Sequence, residues 1–142
     1  HYVERAEGAL HGSYRFFTNS DSITGHTFEL KWVQEITDEL HVSPYFRYYQ
    51  QSGAHYYYAS LTGTGVDGHG KNDGTGAVYS SDYRLSALDA ITYGVNVSFV
   101  PTEGVTIDLQ LERYEMSGRN ASTPDTFFPS ANVISLGAQW EF

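Results

Sequence analysis

The sequence predicts an all-β fold of the antiparallel transmembrane β-barrel type, either a whole barrel or the C-terminal six to eight strands of a larger one. Three observations carry that expectation. Apolar residues recur with period two rather than 3.6. Connections alternate between tight turns and long polar loops. Aromatic residues fill 15% of the 142 positions, with 12 tyrosines among them.

The strands follow in order. Residues 9 to 17 form the first. Over 22 to 36, Phe28, Leu30, Trp32 and Ile36 alternate with Thr27, Glu29, Lys31 and Glu35. Residues 39 to 60 read as one long strand, in which Leu40, Val42, Phe46 and Tyr48 alternate with His41, Ser43, Arg47 and Tyr49. Parity carried from 79 to 100 puts Tyr83, Leu85, Ile91 and Phe99 on one face, so this segment also reads as one strand. In the fifth, 104 to 117, Val105, Ile107, Leu109 and Leu111 oppose Thr106, Asp108, Gln110 and Glu112. In the sixth, 131 to 142, Ile134, Leu136, Ala138, Trp140 and Phe142 share a face, with Ser135, Gly137, Gln139 and Glu141 between them. Two-faced strands of this kind suit an antiparallel sheet.

Thr37-Asp38 and Pro101 to Gly104 are tight turns, whereas 61 to 78 and 117 to 130 are long and rich in Gly, Asn, Asp, Ser and Pro. Short turns at one end, long loops at the other and one greasy face per strand are the asymmetry of outer-membrane barrels. Six strands fall below the roughly eight at which single-chain barrels of that type begin. Bends near Gly53 and Leu88 would divide the long segments to give eight. The favoured expectation is instead that the chain, which starts at His1 rather than Met, is the C-terminal portion of a longer product.

Composition excludes several function classes. No run of roughly 18 apolar residues exists, so a helical membrane span is not expected. Eight Lys and Arg against 17 Asp and Glu give a net charge of −9, which repels a phosphate backbone and argues against a nucleic-acid partner. There is no cysteine, hence no disulfide, thiolate metal site, thiol nucleophile or covalently attached c-type haem. The mean hydropathy of −0.40 resembles that of a soluble β-sandwich or lipocalin-like fold, but barrels score similarly because half of each strand faces water.

The last strand, ending in aromatic Phe142 with apolar residues at alternate positions back to Ile134, resembles the C-terminal signature of outer-membrane barrels. That resemblance implies that Ile134, Leu136, Ala138, Trp140 and Phe142 form the signal read by the barrel-assembly machinery. Two internal stretches, Pro44-Tyr45-Phe46-Arg47-Tyr48-Tyr49-Gln50-Gln51-Ser52 and Tyr79-Ser80-Ser81-Asp82-Tyr83-Arg84-Leu85-Ser86-Ala87, join Ser13-Tyr14-Arg15-Phe16 and Gly25-His26-Thr27. Together they resemble the C-terminal half of a large, functionally uncharacterised bacterial outer-membrane barrel family. The similarity covers nearly the whole chain, implies further N-terminal strands and brings no activity or catalytic residues with it.

Candidate functional residues therefore come from the pattern itself. Glu29, Lys31, Glu35, Arg47, Asp108, Glu112 and Glu141 occupy polar strand positions and are expected to face a lumen, lining a path or cross-bracing the interior. Trp32, Tyr48, Tyr93, Phe99, Trp140 and Phe142 are expected on the membrane face, where amphipathic rings favour headgroup level. Tyr56, Tyr57, Tyr58, Tyr79 and Tyr83 flank the longest loop and could serve as barrel wall or as a ligand-stacking platform.

No metal or cofactor is expected. Asp67 to Gly74 looks superficially like a calcium loop, but Lys71 and His69 stand where oxygen ligands are needed. The six histidines lack zinc-binding spacing. A rim hydrolase could assemble His55 with Ser52, Ser60 or Ser81 and Asp82, yet no G-x-S-x-G elbow exists. The expected function is a channel or transport component in the bacterial outer membrane, in contact with its lipid. A scaffold barrel docking a redox or secretion partner is the alternative, and a lipid hydrolase the lesser one.

Overall fold

The computed structural model describes residues 8–60 and 79–141. These form one six-stranded antiparallel sheet whose spatial order, β1 to β6, is the chain order. The strands are β1 (Gly8–Thr18), β2 (Thr24–Thr37), β3 (Leu40–Gln51), β4 (Leu88–Thr102), β5 (Val105–Gly118) and β6 (Ser130–Trp140). No α-helix is present among the described residues, and no helix is long and apolar enough to cross a membrane. β1 and β6 each pair on one side only, so the described sheet is open. Closure into a barrel is therefore not a property of these six strands alone.

The expected strand count holds, but two strands are shorter than parity suggested. β3 stops at Gln51 and β4 starts at Leu88, so 52 to 60 and 79 to 87 are not strand. The correction has local causes. Gly53 lies so close to the chain coming from Tyr83–Leu85 that a Cβ there would stand 3.2 Å from the Ala87 nitrogen. Residues Tyr83–Leu85 form a 3-10 turn capped by Asp82, whose carboxylate accepts from the Arg84 N–H. Tyr83 and Leu85 thus leave the register of Ile91 and Phe99.

Both tight turns sit at one end of the sheet. At β2–β3, the Thr37 hydroxyl accepts from the Leu40 N–H at 3.1 Å, and the register shifts between Glu35 and Thr37. At β4–β5, Gly104 adopts φ +79°, a conformation that favours glycine. The opposite end carries a short β1–β2 turn and the two long connections. In the short turn, the Asn19 side chain accepts from the N–H groups of Asp21 and Ile23 and holds Ser22 at φ 65°.

At several positions of the middle strands, apolar residues are exposed and polar ones buried. Leu10, Phe28, Leu30, Phe46, Leu111 and Leu136 are exposed, whereas Thr27, Ser43 and Gln51 on the other face are buried. On β5 the apolar residues Ile107, Leu109 and Leu111 are exposed while Asp108, Gln110 and Glu112 are half-buried.

Candidate functional site

The polar face is the candidate site. Pairing places cross-strand partners on one side, so a single row contains Ser13, Glu29, Arg47, Thr92 and Tyr114. The neighbouring row contains His11, Lys31, Tyr45, Gly94 and Glu112. Side chains from β1 to β5 line one hollow of about 900 Å³. For five successive strands to share a cavity, the sheet must curl with its polar face inward.

Two networks cross this hollow. Arg47 pairs with Glu29 at 3.3 Å, and the Ser13 hydroxyl donates to the same carboxylate at 3.2 Å. One row away, the Tyr45 hydroxyl donates to Glu112 and also accepts from Gln110 at 3.1 Å, while the Gln110 amide reaches Glu112 at 2.6 Å. Tyr45 and Glu112 belong to strands separated by β4, roughly 10 Å apart at the backbone. Gly94 stands between them in the row, and a Cβ there would lie 2.4 Å from the Leu111 carbonyl oxygen and 2.8 Å from the Glu112 Cβ. A missing side chain in the middle strand gives the tyrosine ring room to lie across it.

Glu29, Lys31 and Arg47 share the hollow with Glu112. Glu35 lies opposite His41 and Asp108 opposite Ser98, both closer to the tight turns. Glu141 follows β6, its N–H donating to the Gly104 carbonyl and its carboxylate accepting from Gln139. Sequence reasoning missed three members. Tyr45 and Gln110 bridge to Glu112, and Arg15 lines a smaller cavity with Thr27, Arg47 and Tyr49. Arg15 sits at a polar position of β1, opposite Thr27.

Among the described residues, no group of three or more His, Asp or Glu could hold a metal, and Asp67 to Gly74 lies outside them. Three of the hydrolase candidates have hydrogen-bond partners at the loop end. The His55 ring bonds the Asp21 carbonyl, Ser52 Oγ donates to the Ser22 carbonyl, and Asp82 holds Arg84 through two carboxylate oxygens. That bidentate guanidinium contact brings the Asp82 carboxyl down from 3.8 to about 2.

The opposite face carries Trp32, Tyr48, Tyr93, Phe99 and Trp140, together with Ile134, Leu136 and Ala138; Phe142 lies outside the described residues. Its apolar band is slanted. On β5 and β6 it spans Val105 to Leu111 and Ile134 to Trp140, followed on the loop side by Arg113 and Asn132. On β1 and β2 it includes Tyr14, Phe16 and Phe28, which lie nearer the loops in the register. The band climbs about one residue per strand, which at ~3.3 Å rise and ~4.8 Å strand spacing inclines the strands by roughly 35–40°.

An open antiparallel sheet with one polar and one apolar face defines the class: an all-β protein whose described residues form a single six-stranded sheet. The chain belongs to the family described as protein of unknown function (DUF3570), whose model matches residues 1–132. No curated protein and no solved structure matches it.

Proposed function

We propose that this chain is the wall of an integral β-barrel of the bacterial outer membrane, acting as a channel or transport component with a polar lumen. The inversion of its faces carries this reading. Leu30, Phe46 and Leu111, on strands paired on both sides, are 50%, 44% and 41% exposed, and exposed apolar side chains occur on all six strands. A contiguous apolar surface of that extent needs a non-aqueous neighbour. Strands of 11 to 15 residues reach across a bilayer, for which about 9–11 tilted residues suffice. The slope of the apolar band supports the same reading, because a membrane is perpendicular to a barrel axis from which strands tilt ~35–45°.

The test is reconstitution of the full-length protein in a planar lipid bilayer. Discrete conductance steps are expected, together with a heat-modifiable band in detergent gels. Absence of steps from protein that shows the folded band would overturn the transport reading. The buried cluster of Gln51, Ala54, Ser86, Leu88 and Thr123 at the long-loop end favours, as a second reading, a scaffold barrel that docks a partner. Co-purification of a stoichiometric partner from mild detergent, without conductance, is its signature.

A further inference from the structure

Among the described residues, most of the buried ones gather at one place. Ile23, Thr27, Gln51, Ala54, Ser86, Leu88, Ala90 and Thr123 are all buried, and all lie at or near the long-loop end of the sheet. Ser86 is completely enclosed.

The side on which they gather is set by register. Gln51 pairs between Gly25 and Leu88 and has the parity of Arg47 and Tyr49, so it projects from the polar face. Both hydrogens of its amide nitrogen are used, at 2.8 Å to the Arg84 carbonyl and 2.8 Å to the Ser86 carbonyl, and its oxygen accepts from the Tyr49 hydroxyl at 2.8 Å. Residues 84 to 86 therefore lie on the polar side of the sheet, at its long-loop end beyond the Arg47 row. Further bonds hold them there. The Ala54 N–H donates to the Leu85 carbonyl at 2.8 Å, and the Arg119 N–H donates to the Ala87 carbonyl at 3.0 Å.

The β5–β6 connection closes onto the same spot. Phe128 packs on the polar side of Gly118, where a Cβ would approach its ring to 2.8 Å, and meets Tyr83 edge-to-face at 5.9 Å. The hydroxyls of Tyr57 and Thr123 join at 2.7 Å.

We propose that residues 83 to 87 are an internal constriction of the passage, and that Gln51 is the positioning residue that holds them across its long-loop end. This rests on the transport reading. Solutes narrow enough to pass are then small and hydrophilic, because the rim they meet is made of backbone carbonyls and tyrosine and arginine side chains. Leu88 and Ala90 are shielded beneath it.

Two readouts test it on the full-length protein, whose described portion has no native cysteine to interfere. The first is labelling by a membrane-impermeant maleimide. Ser86→Cys should react at least ~100-fold more slowly than Ser122→Cys, which sits on the exposed connection, and adding Gln51→Leu should raise its rate by on the order of tenfold. The second is single-channel conductance and the size limit for polyethylene glycol entry, both of which should rise in Gln51→Leu. Phe128→Ala supplies an independent opening if Gln51→Leu does not give the folded, heat-modifiable band.

Equal labelling of the two cysteines overturns the inward placement. Faster labelling with unchanged conductance and size limit leaves a channel but overturns the constriction. A slow Ser86→Cys without conductance in any variant overturns the transport reading, and the constriction with it.

Discussion

Gly94 shows how a single absent side chain organises the polar face. It lets the Tyr45 ring span β4 and reach Glu112. Gly94→Ala places a methyl group against the Leu111 carbonyl, which is backbone and cannot rotate away, so a loss of about 2–4 kcal/mol is expected. Tyr45→Phe removes only the hydroxyl and leaves Glu112 bonded to Gln110, so about 1 kcal/mol is expected. Denaturant unfolding of the full chain in detergent micelles checks the ranking, and a milder effect for Gly94→Ala than for Tyr45→Phe contradicts it. At the rim, the Asp82 carboxyl falls to about 2 in the folded chain. Its contribution is complete above its ordinary value of 3.8 and fades as the pH drops towards 2. Hydrogen exchange at the Arg84 amide, which Asp82 caps, should accelerate relative to its intrinsic rate over that interval and lose the pH dependence in Asp82→Asn. The global stability change should be slight, because the pair is solvent-exposed. Charged positions such as Glu29 and Arg47 were readable from alternation. The Tyr45–Glu112 contact was not, since it depends on which residues two strands place in one row, and its sole local trace is a glycine among polar strand positions.

At the level of elements, the tight turns carried clear signals and the long connections did not. Pro101 to Gly104 reads as a turn from composition alone, and Gly104 supplies the positive φ that closes it. A Cβ at Gly104 would also stand 2.9 Å from the Glu141 carbonyl oxygen, where the chain leaves β6. Gly104→Ala is therefore expected to cost about 1–2 kcal/mol, through left-handed strain and crowding together. Ser22 also sits at positive φ but has Asn19 to hold its turn, so Ser22→Gly should change stability by less than about 1 kcal/mol. Equilibrium unfolding of both variants measures the difference, and equal losses would show that φ alone does not decide the outcome. Alternation misjudged residues 52 to 60 and 79 to 87 because period two can persist by chance through irregular chain. What ends β3 and delays β4 is tertiary: the approach at Gly53, the Asp82 cap and the Arg84 and Ser86 carbonyls that accept from the Gln51 amide.

Across the whole molecule, the slanted apolar band makes a prediction that register alone would not. Leu30 and Arg113 are level in the sheet, each being aligned with the row of Phe46 and Tyr93. Leu109 lies two rows lower, with Val97 and Leu136. If strands tilt by roughly 35–40° through a bilayer, Leu30 and Leu109 share a depth near the middle of the hydrocarbon, while Leu30 and Arg113 differ by about 8–10 Å along the membrane normal. Spin labels at the three positions of the full-length protein in lipid vesicles, read by oxygen and nickel-chelate accessibility, measure those depths. Matching depths for Leu30 and Arg113 would mean strands parallel to the normal, a geometry closed to a barrel of this type. The same picture ranks substitutions on adjacent residues of β5. Leu109→Arg directs a charge into the band and should cost about 2–4 kcal/mol of folding free energy in vesicles, whereas Gln110→Arg faces the hollow and should cost under about 1 kcal/mol. In water-soluble surroundings the order would reverse, because Leu109 is already exposed and Gln110 half-buried. The sign of that difference thus decides whether lipid or water covers the outer face.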